Sequence, residues 1–137
     1  MYISAVTQYV ADQDAAIAFW TGVMGFELRT DAEMWPGSRW VEVAPPGAQT
    51  VLALLQADDF PGAPRSGPAP FTIVVDDIVD YHARLISLGT VVTAPVEEGY
   101  GTFVQVTTPD GWEQVVSQLS PRRADGVRDG AGRGDRI

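Results

Sequence analysis

The sequence predicts an α+β fold built from two βαβββ modules, and three observations point to it. The stretch "YVADQDAAIAFWTGVMGFEL" combines the end of a strand, an Asp cap, an amphipathic helix and a Gly stop, and "VVDDIVDYHARLISLGTVV" repeats this plan. Asp12 and Gly25 recur 64 residues later as Asp76 and Gly89. Further matches follow at a spacing of 63 residues: Trp40 with Phe103, Glu42 with Gln105, and Pro46 with Pro109.

The first module begins with the strand "ISAVTQYV". Asp12 is expected to cap a helix that continues to about Met24, because apolar residues recur through it at helical spacing. Gly25 is expected to end this helix. Three strands should follow, "FELRT", "RWVEVA" and "TVLALLQ", with "PPGA" turning the second into the third.

The second module has the same order of elements. The strand "FTIVV" leads to a cap at Asp76 or Asp77, a helix to Leu88 and a stop at Gly89. The strands "TVVTA", "TFVQVT" and "EQVVSQ" are expected next, and "TPDG" turns between the last two.

These elements predict a single domain over residues 1–119. Its two modules occupy about 1–56 and 70–119, and a linker rich in Pro and Gly occupies 57–69. Residues 120–137 contain too little apolar surface to offset the entropy of ordering, so we predict a disordered tail there.

Composition and charge exclude several classes of protein. The chain has 137 residues, 45% of them hydrophobic and 20% charged, which suits one soluble globular domain. It has no Lys, and its first 120 residues carry four Arg against 15 acidic groups, a net charge of −11. Such a body repels nucleic acid, and no apolar stretch is long enough to span a membrane. The absence of Cys and of a secretion signal favours the cytoplasm.

Three segments carry a resemblance to a known family: "YVADQDAAIAFWTGVMGFEL", "VVDDIVDYHARLISLG" and "TTPDGWEQVVSQ". Over roughly residues 1–119 the sequence resembles the vicinal oxygen chelate superfamily, which includes glyoxalase I, extradiol dioxygenases, fosfomycin-modifying enzymes and bleomycin-binding proteins. The resemblance implies that each module curls into half of a cup-shaped mixed sheet and that the two modules face each other around a ligand. It also implies a homodimer.

The resemblance further indicates where a metal would be held. Metal-dependent members place His, Gln or Glu on the first and last strands of each module. The corresponding positions of this chain are Ala5, Leu52 (Ala53 if the register slips), Pro70 or Ala69, and Val115. None of these side chains binds a metal, so neither a metal nor another cofactor is expected. The lone His82 lies on or beside the buried face of the second helix and is not expected to be a ligand.

Strand alternation predicts which side chains line the cup. Val41 and Val43 form the apolar side of "RWVEV", so Trp40 and Glu42 face the ligand, and two matching residues of the second module do the same. The full set of predicted ligand-binding residues is Thr7, Tyr9, Trp40, Glu42, Leu52, Leu54, Phe103, Gln105, Trp112 and Val115. Aromatic rings suit a planar ligand or a cation, whose charge Glu42 would neutralise. Alternatively, these residues only fill a sealed core or face solvent in an open sheet.

The sequence therefore predicts a metal-independent protein of the glyoxalase and bleomycin resistance type. It would sequester a small aromatic or cationic molecule, either a drug, as in antibiotic resistance, or a metabolite. The alternative is an enzyme (a lyase, isomerase or dioxygenase) that is metal-free or uses displaced metal ligands, with Tyr9, Glu42 and Tyr100 as its acid–base groups. A third interpretation is an interaction module with a filled cup. No P-loop, dinucleotide-binding fingerprint or nucleophile motif is present.

Overall fold

The computed structural model describes residues 1–121, so the predicted tail lies almost wholly outside the described residues. The strands are β1 (Ala5–Val10), β2 (Glu27–Trp35), β3 (Ser38–Ala44), β4 (Val51–Gln56), β5 (Gly67–Val74), β6 (Val96–Glu98), β7 (Gly101–Thr107) and β8 (Trp112–Leu119). The helices are α1 (Gln13–Ala18) and α2 (Ile78–Ser87), with a π-helical turn at Phe19–Val23 and a 3₁₀ turn at Ala57–Asp59. The strands form two four-stranded sheets, ordered β1-β4-β3-β2 and β5-β8-β7-β6, which confirms the predicted α+β class.

The chain forms two compact units. The first contains Met1–Phe71 together with Thr107–Gln114, and the second contains Thr72–Val106 together with the chain from Val115 onward. The turn between β7 and β8 therefore falls in the first unit, although the sequence repeat assigns it to the second module. None of the helices in residues 1–121 has the length and apolar character needed to cross a membrane.

The first sheet mixes parallel and antiparallel pairs. β1 runs parallel to β4, from Ala5 beside Val51 to Val10 beside Gln56. β2, β3 and β4 form an antiparallel meander. Gly37 (φ +84°) lies in the tight turn between β2 and β3, where a left-handed backbone angle favours glycine.

Helix α1 begins where the sequence predicts. The Asp12 carboxylate accepts a hydrogen bond from the N–H of Ala15, as expected of a cap. The helix then widens into the π-helical turn, in which consecutive aromatic residues, Phe19 and Trp20, are both buried with their rings edge to face at 5.9 Å. An ordinary α-helix separates consecutive side chains by about 100°. The wider turn allows two adjacent rings to enter one core.

Helix α1 is fixed to the first sheet by buried and partly exposed polar groups. The side-chain amide of Gln13 donates to the backbone carbonyls of Arg39 at 2.8 Å and Leu54 at 2.9 Å. The Arg39 guanidinium pairs with Asp14 of α1 and with Asp31 of β2, both at 2.9 Å. These contacts join α1, β2, β3 and β4 on one side of the sheet.

The second sheet departs from the prediction at two strands. β5 begins at Gly67, earlier than the expected "FTIVV", and it takes in Pro68 and Pro70 because an edge strand tolerates residues without an N–H donor. The predicted strand "TVVTA" is not formed. An isolated bridge joins Val92 to Val106, and β7 pairs with β8 on one side and with β6 on the other.

Helix α2 is capped by Asp77, whose carboxylate accepts from the N–H of Asp80 at 3.0 Å. The two caps, Asp12 and Asp77, are therefore 65 residues apart (77 − 12), one more than the spacing between Asp12 and Asp76 in the sequence repeat. Gly89 (φ +72°) follows the end of α2, as predicted.

Candidate functional site

The first sheet brings Thr7 and Glu42, two of the predicted ligand-binding residues, onto one face. Strand pairing places Ala53 beside both of them, and Glu42 beside Thr30. Paired residues in a sheet share a face, so these four side chains form one row across all four strands.

A second row lies two residues further along the strands. Tyr9 pairs with Leu55, and Trp40 pairs with Ala32. The β3–β4 register, continued by one residue, brings Leu55 beside Trp40. We call the surface formed by the two rows the Trp40 face; its residues are Thr7, Tyr9, Thr30, Ala32, Trp40, Glu42, Ala53 and Leu55.

Solvent exposure distinguishes the two faces of β3. Val41 and Val43 are fully buried, whereas Trp40 and Glu42 between and beside them are partly exposed. β1 alternates in the same way. The opposite, buried face is the side on which α1 packs against the sheet. The alternation predicted for β3 is therefore present, and it leaves an aromatic ring and a carboxylate accessible on one face.

The prediction for β4 was wrong by one residue. Leu52 pairs with Val43, and Leu54 pairs with Val41, so both leucines belong to the buried face under α1. Ala53 and Leu55 occupy the Trp40 face instead. The reason is that β4 is buried on both faces, so its sequence "VLALLQ" shows no alternation that would identify the accessible side.

One end of the Trp40 face is bordered by the 3₁₀ turn and the residue that follows it. The ring of Phe60 packs on Tyr9 with centroids 5.4 Å apart. The hydroxyl of Ser38 donates a short hydrogen bond to the Asp59 carboxylate. Phe60 and Asp59 were not among the predicted site residues, because they follow the last strand of the module and no periodicity marks them.

Trp112, one of the predicted ligand-binding residues, is packed inside the first unit. Its side chain is 3% exposed, and its indole N–H donates to the backbone carbonyl of Tyr9 at 3.0 Å. This geometry leaves Trp112 almost no surface for a ligand. It instead gives this residue a role in holding β1, and thereby Tyr9, in position.

The predicted residues of the second unit form a similar pattern on their own sheet. Phe103 and Gln105 are partly exposed, and the valines that alternate with them on β7 are fully buried. Val115 on β8 is also partly exposed. Three residues later, Gln118 accepts a hydrogen bond from the N–H of Ile78 at the start of α2. Strand alternation therefore places Val115 on the face away from α2.

Glu42 differs from the other acidic groups of the described chain. The three least exposed acidic residues in residues 1–121 are Glu42, Asp59 and Asp110. Asp59 accepts from Ser38, and Asp110 accepts from the N–H of Ala11 at 2.8 Å. Glu42 has no hydrogen-bond or ion-pair partner within residues 1–121.

Behind Trp40, the neighbouring residue Arg39 points to the opposite side and holds two carboxylates. Its hydrogen bond lowers the pKa of Asp31 below the ordinary value of 3.8. The bonds from Asp31 and Asp14 raise the pKa of the Arg39 guanidinium. Both changes favour the ionised pair, which links α1 and β2 to β3, the strand that carries Trp40.

The four positions that would hold a metal do not fit one. Asp77 is the cap of α2, so Pro70 rather than Ala69 corresponds to Ala5, seven residues before the cap in each module. Pairing places Ala53 on the Trp40 face, and Val115 lies on β8, the last strand of the second module. None of these side chains has a donor atom for a divalent ion. Within the described part of the chain, no three His, Cys, Asp or Glu side chains are grouped so as to hold a metal.

Comparisons with known proteins agree with this architecture. The chain is 34% identical over 110 residues to the uncharacterized protein YetH of Bacillus subtilis (strain 168), which covers 80% of this chain and 91% of YetH. A superfamily member from Sphaerobacter thermophilus DSM 20745 is 28% identical with a TM-score of 0.81, over 86% of this chain and 97% of that one. TnmS3, an antibiotic binding protein from Streptomyces sp. CB03234, is 30% identical with a TM-score of 0.79, over 88% of this chain and 97% of that one.

A family model gives the assignment directly, because it matches residues 2–116 and so includes both modules. Its description is the Glyoxalase/Bleomycin resistance protein/Dioxygenase superfamily, which is the resemblance that the sequence segments indicate. The chain belongs to this superfamily.

Proposed function

We propose that this protein binds a small organic molecule on the Trp40 face, without a metal held by the protein, and that it acts by sequestering that molecule. One observation carries the proposal. On β3, where the alternate side chains are fully buried, Trp40 and Glu42 keep accessible surface. A small-molecule site needs apolar and aromatic surface with a few polar groups placed to orient the ligand, and the Trp40 face offers both.

The substituted metal positions support the metal-independent part of the proposal. Ala5 and Ala53 contribute only methyl groups where metal-dependent members of the superfamily carry donor side chains. The similarity to TnmS3, an antibiotic binding protein, supports binding rather than turnover. Homodimerisation and a cytoplasmic location are part of the same proposal and rest on the family resemblance and on composition.

Three variants of β3 test the proposal. Trp40→Ala should weaken binding of an aromatic ligand by about 1–3 kcal/mol through lost stacking and apolar contact, with little change in stability. Val41→Ala, on the buried face, should lower the free energy of unfolding by about 1–2 kcal/mol and leave affinity unchanged. Tyr2→Ala is the control for Trp40, since it removes an aromatic ring that is 60% exposed and lies before the start of β1.

The measurements are titration calorimetry against a panel of aromatic metabolites and antibiotics, and urea unfolding of each variant. Should Val41→Ala abolish binding in a folded protein while Trp40→Ala has no effect, the Trp40 face is not the site. Elemental analysis separates the proposal from a metalloenzyme: about one tightly bound Zn, Ni, Mn or Fe per chain would contradict metal independence.

A further inference from the structure

We infer that the ligand is an organic cation, namely a protonated primary or secondary amine joined to an aromatic ring by a link of two or three carbons. This inference rests on the proposed function, because it names the class of molecule that the Trp40 face takes. It assigns the ammonium group to Glu42 and the aromatic ring to the row formed by Trp40, Leu55 and Tyr9.

The first argument is the unmatched charge of Glu42. A partly buried carboxylate loses part of its hydration, and proteins normally offset that cost with a hydrogen bond or an ion pair. Asp59 and Asp110, the two described acidic groups of similar exposure, each accept one. Glu42 accepts none within residues 1–121. A ligand with a cationic N–H group would give Glu42 the hydrogen bond that Asp59 and Asp110 receive from the protein.

The second argument concerns the neighbours of Glu42. Ala53 on one side presents a methyl group and Thr30 on the other presents a hydroxyl, so no cation of residues 1–121 shares this row. The four Arg of residues 1–121 are engaged elsewhere: Arg29 with Glu27, Arg39 with Asp31 and Asp14, Arg65 with Asp58, and Arg84 over the Tyr81 ring. No Arg of residues 1–121 therefore neutralises this carboxylate, and the net charge of −11 over the first 120 residues favours the approach of a cation.

The third argument is the chemistry of the acceptor. A carboxylate and a threonine hydroxyl both accept hydrogen bonds, so a cation with N–H groups gains more than a cation without them. A protonated primary or secondary amine meets this condition, and a quaternary ammonium does not. The row therefore favours an amine over a permanently methylated cation.

The fourth argument is the spacing of the two rows. Trp40 and Glu42 are two residues apart on an antiparallel strand, which separates their side-chain origins by about 6.8 Å. A ring that stacks on Trp40 and an ammonium that meets Glu42 must span a similar distance. A link of two or three carbons between ring and nitrogen provides it.

The test uses three probes that share an indole ring and differ at the amine: tryptamine, N,N,N-trimethyltryptammonium and the neutral N-acetyltryptamine. Each is titrated calorimetrically into the full chain at pH 7 and low salt. We expect tryptamine to bind most tightly. Glu42→Gln should weaken tryptamine about 10- to 100-fold, the range for one charge-assisted hydrogen bond, and leave N-acetyltryptamine within about twofold.

Glu33→Gln is the matched control variant. It removes the same charge from an exposed position of β2. In the strand register this position lies opposite Arg39, on the side of the sheet away from Trp40. It should change the affinity for tryptamine by less than about twofold, since screened charges at that distance contribute little. A loss equal to that of Glu42→Gln would show that only net charge matters and would overturn the assignment of the ammonium to Glu42.

The remaining outcomes separate this inference from the proposed function. If all three probes bind equally and Glu42→Gln changes nothing, the cation assignment is wrong while the aromatic binding site stands. If the quaternary cation binds as tightly as tryptamine, the requirement for an N–H donor is wrong. If none of the three binds at millimolar concentration and Trp40 is unperturbed in NMR spectra, the proposed function fails as well.

Discussion

The indole N–H of Trp112 donates a hydrogen bond to the backbone carbonyl of Tyr9 at 3.0 Å, across 103 positions of the sequence. Two residues earlier, the Asp110 carboxylate accepts from the N–H of Ala11. The turn before β8 therefore holds the end of β1, and it does so at the residue whose ring packs on Phe60. The aromatic row of the Trp40 face depends on a residue that contributes almost no surface to it.

Trp112→Phe should destabilise the first unit because it removes this hydrogen bond and part of a buried ring. We expect the free energy of unfolding to fall by about 2–3 kcal/mol, measured by urea denaturation. Trp35→Phe, at a residue that is 48% exposed, should change stability by less than about 0.5 kcal/mol. Equal effects of the two substitutions would show that the hydrogen bond to Tyr9 does not contribute to the free energy of unfolding.

Two buried glutamines should respond in opposite directions to the same substitution. Gln13 donates to two backbone carbonyls, so Gln13→Leu leaves both without this donor and should cost about 2–3 kcal/mol. Gln8 is 0% exposed, and neither its amide nitrogen nor its oxygen has a partner within residues 1–121. Gln8→Leu replaces it with an apolar side chain of similar size and should stabilise the protein by about 1–2 kcal/mol.

The pair is its own control, since both substitutions remove one amide from the same unit. Thermal and urea unfolding measure the two changes. A destabilising Gln8→Leu would indicate that the Gln8 amide is satisfied by ordered water, which the substitution would displace.

Acidification should remove the contribution of the Asp31–Arg39 pair. The hydrogen bond from Arg39 lowers the pKa of Asp31 in the folded protein below its ordinary value of 3.8. A lowered folded-state pKa means that the stabilisation is fully present above the unfolded-state value and is lost as the pH falls through the folded-state value. Asp31→Asn should therefore lower the melting temperature at pH 7, and the difference from wild type should shrink as the pH falls below 3.8 and through the lowered folded-state pKa of Asp31.

The check is a series of thermal melts from pH 7 to pH 2, with Glu33→Gln as the control. Glu33 is exposed and forms no ion pair within residues 1–121, so its variant should follow the wild-type curve. A difference between Asp31→Asn and wild type that persists unchanged at pH 2 would assign the effect to packing rather than to charge.

Gly101 should not tolerate a side chain. An added Cβ would overlap the carbonyl oxygen of Gln118, and the backbone angle φ of +154° is rare for other residues. Gly101→Ala should lower stability by about 2 kcal/mol or more, because this carbonyl oxygen belongs to the backbone and cannot rotate away. Gly99→Ala, two residues earlier in the same hairpin, meets nothing within 4 Å and should be nearly neutral. Thermal melts followed by circular dichroism measure the stability of both variants. Equal melting temperatures for the two would contradict the prediction.

Much of the fold could be predicted from local pattern. The caps at Asp12 and Asp77 and the stops at Gly25 and Gly89 require only short-range chemistry, so the sequence identifies them. The accessible side of β3 was also predictable, because one face of that strand is buried and the other is not.

The accessible side of β4 was not predictable in the same way. Leu52, Ala53, Leu54 and Leu55 are all buried, so only the pairing with β1 and β3 decides which of them faces the Trp40 side. The segment "TVVTA" was predicted as a strand because its β-branched residues favour one, but the structure forms only a bridge there, from Val92 to Val106.

Contacts between residues far apart in sequence explain the remaining differences. Gln13 and Trp112 both act through hydrogen bonds to backbone carbonyls of strands, and any strand carbonyl is chemically the same. Composition and spacing therefore cannot identify the acceptor. Only the assembled sheet shows which carbonyl lies within reach.

The first unit is discontinuous, and this has a consequence for synthesis on the ribosome. Met1–Phe71 emerges from the exit tunnel long before Thr107–Gln114, yet the two segments belong to one compact body. The local meander of β2, β3 and β4 can form as it emerges, whereas the hydrogen bonds from the turn before β8 to the end of β1 form only after Trp112 has been translated. Until then the nascent first unit lacks the contacts that hold Tyr9 in place.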